Sequence, residues 1–185
     1  MLIIDGHLDM AYNALYHRRD LRLPVDTLRE REDEFPPERK PHADALPRRP
    51  GPDTAAPGTC TVALPELRRG EVGIVLSTIM ARVQASGPMV HNASRTQLQA
   101  HARGLAHLAY YKALEGAGEL SFVRSTADLE RIAAAWGEPD DRTPVGLILS
   151  MESADPILDP EEVGFWYEAG LRSVSLTHFG ANTYG

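Results

Sequence analysis

The sequence has 185 residues, enough for one domain with a real core, and 43% of them are hydrophobic, as in soluble globular proteins. No uncharged apolar run reaches the roughly eighteen residues that a membrane-spanning helix needs. A formal net charge of −7 excludes nucleic acid and anionic membrane as main partners, and a single cysteine excludes an internal disulfide.

Residues 2–5 (LIID) form a short apolar run, expected to be a buried strand. The opening MLIIDGHLD lacks the basic region, long apolar stretch and small-residue cleavage site of a secretory signal, so a cytoplasmic location is the expectation. Residues 10–17 (MAYNALYH) carry a weak helical pattern. A long polar loop follows at about 18–60. Its charges and prolines, as in EFPPERKP and LPRRPGPD, resist both helix and sheet. So long an irregular stretch is expected to be a functional loop or partly disordered. Cys60, in APGTCTVALP, has no histidine near it in sequence and reads as an ordinary loop or edge residue.

Residues 65–70 look like a helical turn ended by Gly70. Residues 72–80 (VGIVLSTIM) read as a buried strand. The clearest helix spans 94–116: Ser94 and Gln97 have capping-box spacing, and Leu98, Ala102, Leu105, Leu108 and Ala109 form an apolar stripe. Gly116 and Gly118 stop it. Residues 120–123 are a strand, and Thr126 caps a helix running to about Trp136. Residues 145–151 (VGLILSM) are the next strand. Asp159, Pro160, Glu161 and Glu162 supply a cap, a proline at the first position and acids at the positive dipole end of a helix. That helix runs to about Ala169 and is closed by Gly170. Residues 173–178 (SVSLTH) are the last strand.

Strand and helix alternate, and the strands are nearly continuously apolar. Both facts predict an α/β fold with a parallel sheet covered on both faces, either a TIM-type barrel or an open doubly wound sheet. About five strands are present. A closed eight-stranded barrel takes roughly 250 residues, so a barrel would be represented only by its first part.

Three polar groups stand out by position. His7 and Asp9 follow the first strand, Glu152 follows VGLILSM, and His178 ends SVSLTH. The carboxyl ends of parallel strands share one rim, where active sites lie. Packing does not require ionisable groups there, and burying them unpaired costs several kcal/mol. A metal ion removes that cost. Imidazole and carboxylate suit zinc, a carboxylate can bridge two ions, and positions i and i+2 of an extended segment face the same side. The implied reaction class is metal-assisted hydrolysis. The bland alternative has Asp9 capping a helix, Glu152 solvated and His178 satisfied in a loop; it requires three independent coincidences.

IDGHLD at the start, SMESADPI in the middle and LTHFGANTYG near the end resemble the membrane (renal-type) dipeptidases of the amidohydrolase superfamily. The resemblance covers the chain apart from the polar loop. It implies a (β/α)8 barrel with two zinc ions, of which residues 1–185 would form the N-terminal portion. It implies that His7 and Asp9 bind one zinc, that Glu152 bridges both, and that His178 contacts the substrate and stabilises the tetrahedral intermediate. The small Ser153 and Ala154 respect the family's preference after that glutamate. The family takes two further histidine ligands, a substrate-binding arginine and a proton-transfer aspartate from later segments, which have no counterparts here. His101 and His107 do not share a helical face, and His17, His42 and His91 are expected in surface or packing roles. The Asn92-Ala93-Ser94 sequon carries no weight without a secretory signal.

The resemblance implies zinc-dependent hydrolysis of small dipeptides, including those with a C-terminal D-residue. The alternative is a truncated, catalytically incompetent barrel fragment acting as a binding or interaction module. Either way, open edge strands lead us to expect a homo-oligomer or pairing with the chain that completes the barrel. A weaker alternative, a related hydrolase acting on a cyclic amide, is disfavoured by the L-T-H segment and by H-x-D in place of H-x-H.

Overall fold

The computed structural model describes residues 1–33, 60–84, 86, 93–178 and 180–185. His42, His91 and Asn92 lie outside the described residues. The elements are β1 (Ile3–Leu8), α1 (Met10–His17), α2 (Val25–Asp33), α3 (Leu64–Arg69), β2 (Val72–Ile79), β3 (Arg82–Val83), β4 (Ala93–Ser94), α4 (Gln97–Gly116), β5 (Leu120–Phe122), α5 (Thr126–Ala135), β6 (Val145–Met151), α6 (Val163–Ala169) and β7 (Leu171–Val174). No described helix is long and apolar enough to cross a membrane.

All described strand pairs are parallel. The main sheet has five strands, as the alternating sequence pattern predicts. β1 pairs with β2, and β2 pairs with β6 without a break from Ile74↔Gly146 to Ile79↔Met151. The other flank of β6 is shared. β5 covers its beginning, from Leu120↔Val145 to Phe122↔Leu147, and β7 covers its end, from Leu149↔Leu171 to Met151↔Val174. The carboxyl ends of β1, β2, β6 and β7 therefore meet at one rim, as in part of an α/β barrel.

The core lies between this sheet and the helices, with Ile74, Val75, Leu147 and Leu149 almost fully buried. Two glycines set the sheet's distance from its cover. A Cβ on Gly73 would meet Leu2 and, at 2.5 Å, Cδ2 of Trp136; one on Gly146 would meet Ile132 at 2.9 Å. Side chains there would push α5 and the residue after it off the sheet. Beneath the sheet, Arg68 is nearly buried and donates to the carbonyls of Thr143 and Glu119 and, at 2.7 Å, to the Glu119 carboxylate.

Several expectations are corrected. The polar stretch is not wholly irregular: α2 forms within it because Val25 and Leu28 pack into the core. The capping box of α4 is Thr96 with Gln99, whereas Ser94 pairs in β4 with Val83. Ser125, not Thr126, caps α5. β7 ends at Val174, so residues 175–178 lie beyond the strand. β1 extends to Leu8 and includes His7. It is largely exposed rather than buried, because it pairs with β2 alone among the described strands. Cys60 is fully buried at a contact between α2 and the chain entering α3; its N–H donates to Glu32, and burial pushes its thiol pKa up.

Candidate metal centre

His7 is the penultimate residue of β1, and Asp9 occupies the junction between β1 and α1. Glu152 is the first residue after β6, and its backbone N–H donates to Ile79 O at the end of β2 at 3.1 Å. The parallel register thus brings together residues from opposite ends of the sequence. His7 Nε2 lies 3.5 Å from Asp9 Oδ1 and 3.6 Å from Glu152 Oε1. One potential ligand atom from each residue lies within 4.8 Å of the others, and this is the one such group among the described residues.

His178 joins them despite lying beyond β7. Ser175 N–H donates to Met151 O, and Ala154 N–H donates to Leu176 O. Asn182 Nδ2 donates to Leu176 O and Ser153 Oγ, drawing the turn back over the end of β6. His178 Nε2 consequently lies 3.2 Å from Glu152 Oε1. Next to it opens a cavity of about 590 Å³ whose lining includes Arg82, Gln84, Asp155, His178 and Asn182. Asp155 accepts from Val83 N–H and Ser153 Oγ, tying β3 to the loop after β6.

The electrostatics fit a cation. Burial, and then the Asp9 carboxylate, raise the Glu152 pKa above the usual carboxyl range. Glu152 Oε2 is buried without a hydrogen-bond partner. Burial, followed by the Arg82 guanidinium, lowers the His178 pKa, which favours the neutral imidazole. Two neighbouring carboxylates, an imidazole and an orphaned acceptor form a donor set suited to zinc. Within this chain, His7, Asp9 and Glu152 would hold the ion.

Asp9 is itself well supported. Its carboxylate Oδ1 accepts from Thr78 Oγ1, and its carbonyl accepts from Asn13 Nδ2 at 2.9 Å. Asn13 in turn accepts from Arg19, which donates to Glu32 of α2 at 2.5 Å. The sequence pattern did not single out Thr78, Asn13 or Arg19. Thr78 reads as one more residue of an apolar strand, and Arg19 sits in a charged stretch where nothing local marks it for burial. The other described histidines stay apart from the centre: His17 stacks edge-on with Tyr12, His101 contacts Pro156 O, and His107 is fully buried against the end of β2.

Comparisons with known proteins agree with this fold. The family model of the membrane dipeptidases (peptidase family M19) matches residues 1–185. Among solved structures, the chain is similar to a dipeptidase AC, a metallopeptidase of family M19, with a TM-score of 0.55 and 20% identity over 95% of this chain and 42% of that one. It is also similar to a metallopeptidase from Rhodobacter sphaeroides liganded with a phosphinate mimic of L-Ala-D-Ala, with a TM-score of 0.55 and 19% identity over 95% of this chain and 45% of that one. A third is the probable dipeptidase PvdM from Pseudomonas aeruginosa, with a TM-score of 0.53 and 17% identity over 68% of this chain and 30% of that one. No curated protein matches. The chain spans less than half the length of these solved structures. Its parallel α/β fold is the N-terminal part of a TIM-type barrel, and the chain belongs to the membrane dipeptidase family, peptidase family M19.

Proposed function

We propose that this chain carries the first metal-binding half of a zinc-dependent dipeptidase. The observation that carries the reading is the convergence of His7, Asp9 and Glu152 within 4.8 Å at the rim of the sheet. When bound, zinc supplies Lewis acidity and lowers the pKa of water to about 7.

The protein's own residues provide the rest. His7 and Asp9, two residues apart, would hold an ion together. Glu152 presents Oε1 toward His7 and His178 and has a buried, unpartnered Oε2, so it would add a carboxylate to the metal's donor set. His178, held neutral by burial, donates one N–H to the oxyanion that develops at the scissile carbonyl. The adjoining open cavity leaves room for a small dipeptide beside these groups. The R. sphaeroides relative, liganded with a dipeptide mimic, supports dipeptides as the substrate class. A two-ion site would need ligands in addition to His7, Asp9 and Glu152.

The test is hydrolysis of a dipeptide panel, including C-terminal D-residues, by the full-length protein after chelation and after zinc is restored. The expected result is turnover that disappears with the metal and returns with it. Equal turnover in the chelated protein would contradict the reading.

A further inference from the structure

Three hydroxyls, all inside the protein, stitch the metal-bearing turn to β2. Ser77, Thr78 and Tyr111 are at most 1% exposed. Buried this deeply, each hydroxyl needs a hydrogen-bond partner. Ser77 donates to Leu8 O at 2.6 Å, and Thr78 donates to the Asp9 carboxylate. An ionised carboxylate only accepts, so the direction of this second bond is fixed by chemistry. Tyr111, from the middle of α4, accepts the Ala11 N–H at 3.1 Å and donates to Thr78 O at 2.8 Å. Its oxygen also lies 3.2 Å from Ser77 Oγ.

The segment from Leu8 to Ala11 is therefore bound at three points, its backbone through Ser77 and Tyr111 and its ligand side chain through Thr78. Sheet pairing alone does not do this, because the register of β1 on β2 shifts between Asp5 and Leu8. The irregularity frees the turn from the ladder where His7 and Asp9 must be aimed. An aspartate with a free χ2 would present its oxygens over a broad range of angles. A hydroxyl donated to one oxygen removes that freedom and leaves the remaining lone pairs for a ligand.

We propose that Thr78 is a positioning residue for the metal centre: its hydroxyl fixes the Asp9 carboxylate for the ion, and Tyr111 fixes Thr78. The inference rests on the reading that His7, Asp9 and Glu152 bind a metal. Neither side chain touches substrate in this scheme, so the effect is on ion affinity.

The experiment measures Zn²⁺ affinity of the full-length protein by competition with a chromogenic chelator, alongside thermal melting of the metal-free forms. Thr78→Val removes the hydroxyl at nearly constant volume; Thr78→Ser keeps it. Zinc affinity falls about 10–100-fold in T78V and stays within about threefold of the parent in T78S. Tyr111→Phe gives a smaller fall in the same direction. T78V binding zinc like the parent overturns the proposal, and so does an equal loss in T78S and T78V. If T78V does not fold, T78S and Y111F decide: parent-like T78S with weakened Y111F supports the proposal, and any other pattern overturns it. A parent that binds no zinc overturns the metal-centre reading itself, an outcome distinct from a parent that binds with a T78V indifferent to the change.

Discussion

His178 Nε2 lies 3.2 Å from Oε1 of Glu152, while Oε2 of that carboxylate is buried without a hydrogen-bond partner. One oxygen faces an imidazole and the other faces a gap of charge. A carboxylate is stable there when a cation completes it. Glu152→Gln keeps the shape and removes the charge. We expect zinc affinity to fall by more than about 100-fold, beyond the usual effect of an outer residue, with little change in melting temperature of the metal-free protein. Equilibrium dialysis against zinc measures the first quantity and calorimetry the second.

His178→Ala removes the group proposed to act on the substrate. The expected outcome is a fall in kcat of about 100–1000-fold, the size seen for a lost oxyanion donor, with zinc content retained. Steady-state kinetics together with metal analysis separate the two. A protein that loses its zinc in proportion to its activity would assign His178 to the metal instead.

His107 gives a stability prediction in pH. It is fully buried, and desolvation lowers its pKa from 6.5 to about 4. The folded protein therefore disfavours the charged ring, whereas the unfolded chain protonates it near the ordinary value. Stability is fully present above about pH 6.5, declines as pH falls toward 4, and loses no more from this group below that. The full difference is about 3 kcal/mol. Urea unfolding at several pH values checks it, and His107→Leu should flatten the slope over that interval.

Gly73 lies where a Cβ would collide with Leu2 and Trp136. Gly73→Ala overpacks this seam and should destabilise the protein by about 1–3 kcal/mol. Differential scanning calorimetry measures it; pairing the change with Trp136→Leu should return part of the loss, because the two sites share one contact.

β1 presents an outer edge with no partner among the described strands, and Ile4 on it is 57% exposed. Parallel edges of this kind recruit further strands. The 185-residue chain alone is expected to self-associate, and Ile4→Lys to reduce that. Light scattering after size exclusion is the check; a stable monomer would argue against an available edge.

Much of this architecture was legible because its signals are local. The apolar runs at 72–80 and 145–151 are β2 and β6, and the acids and proline at 159–162 begin a short 3-10 turn leading into α6. His7, Asp9, Glu152 and His178 were legible for a second reason: ionisable groups after apolar strands have a known destination in a parallel sheet. What escaped depends on distant contacts. Ser94 and Thr96 both start the same S/T-x-x-Q pattern, and the pairing of Ser94 with Val83 is what leaves Thr96 as the cap. The helical register of Val25 and Leu28 is hidden by the charges around them, and it forms because the core accepts those two side chains. The last strand was read too late because SVSLTH is apolar enough to continue. The chain instead leaves the ladder after Val174 and folds its histidine over β6.

Glu32 has one further consequence. Its two oxygens accept from Arg19, just after α1, and from the backbone of Cys60, so a single carboxylate of α2 joins that segment to the chain entering α3. Glu32→Ala would loosen both joins in one step, and with them the Arg19 side chain that also donates to Asn13.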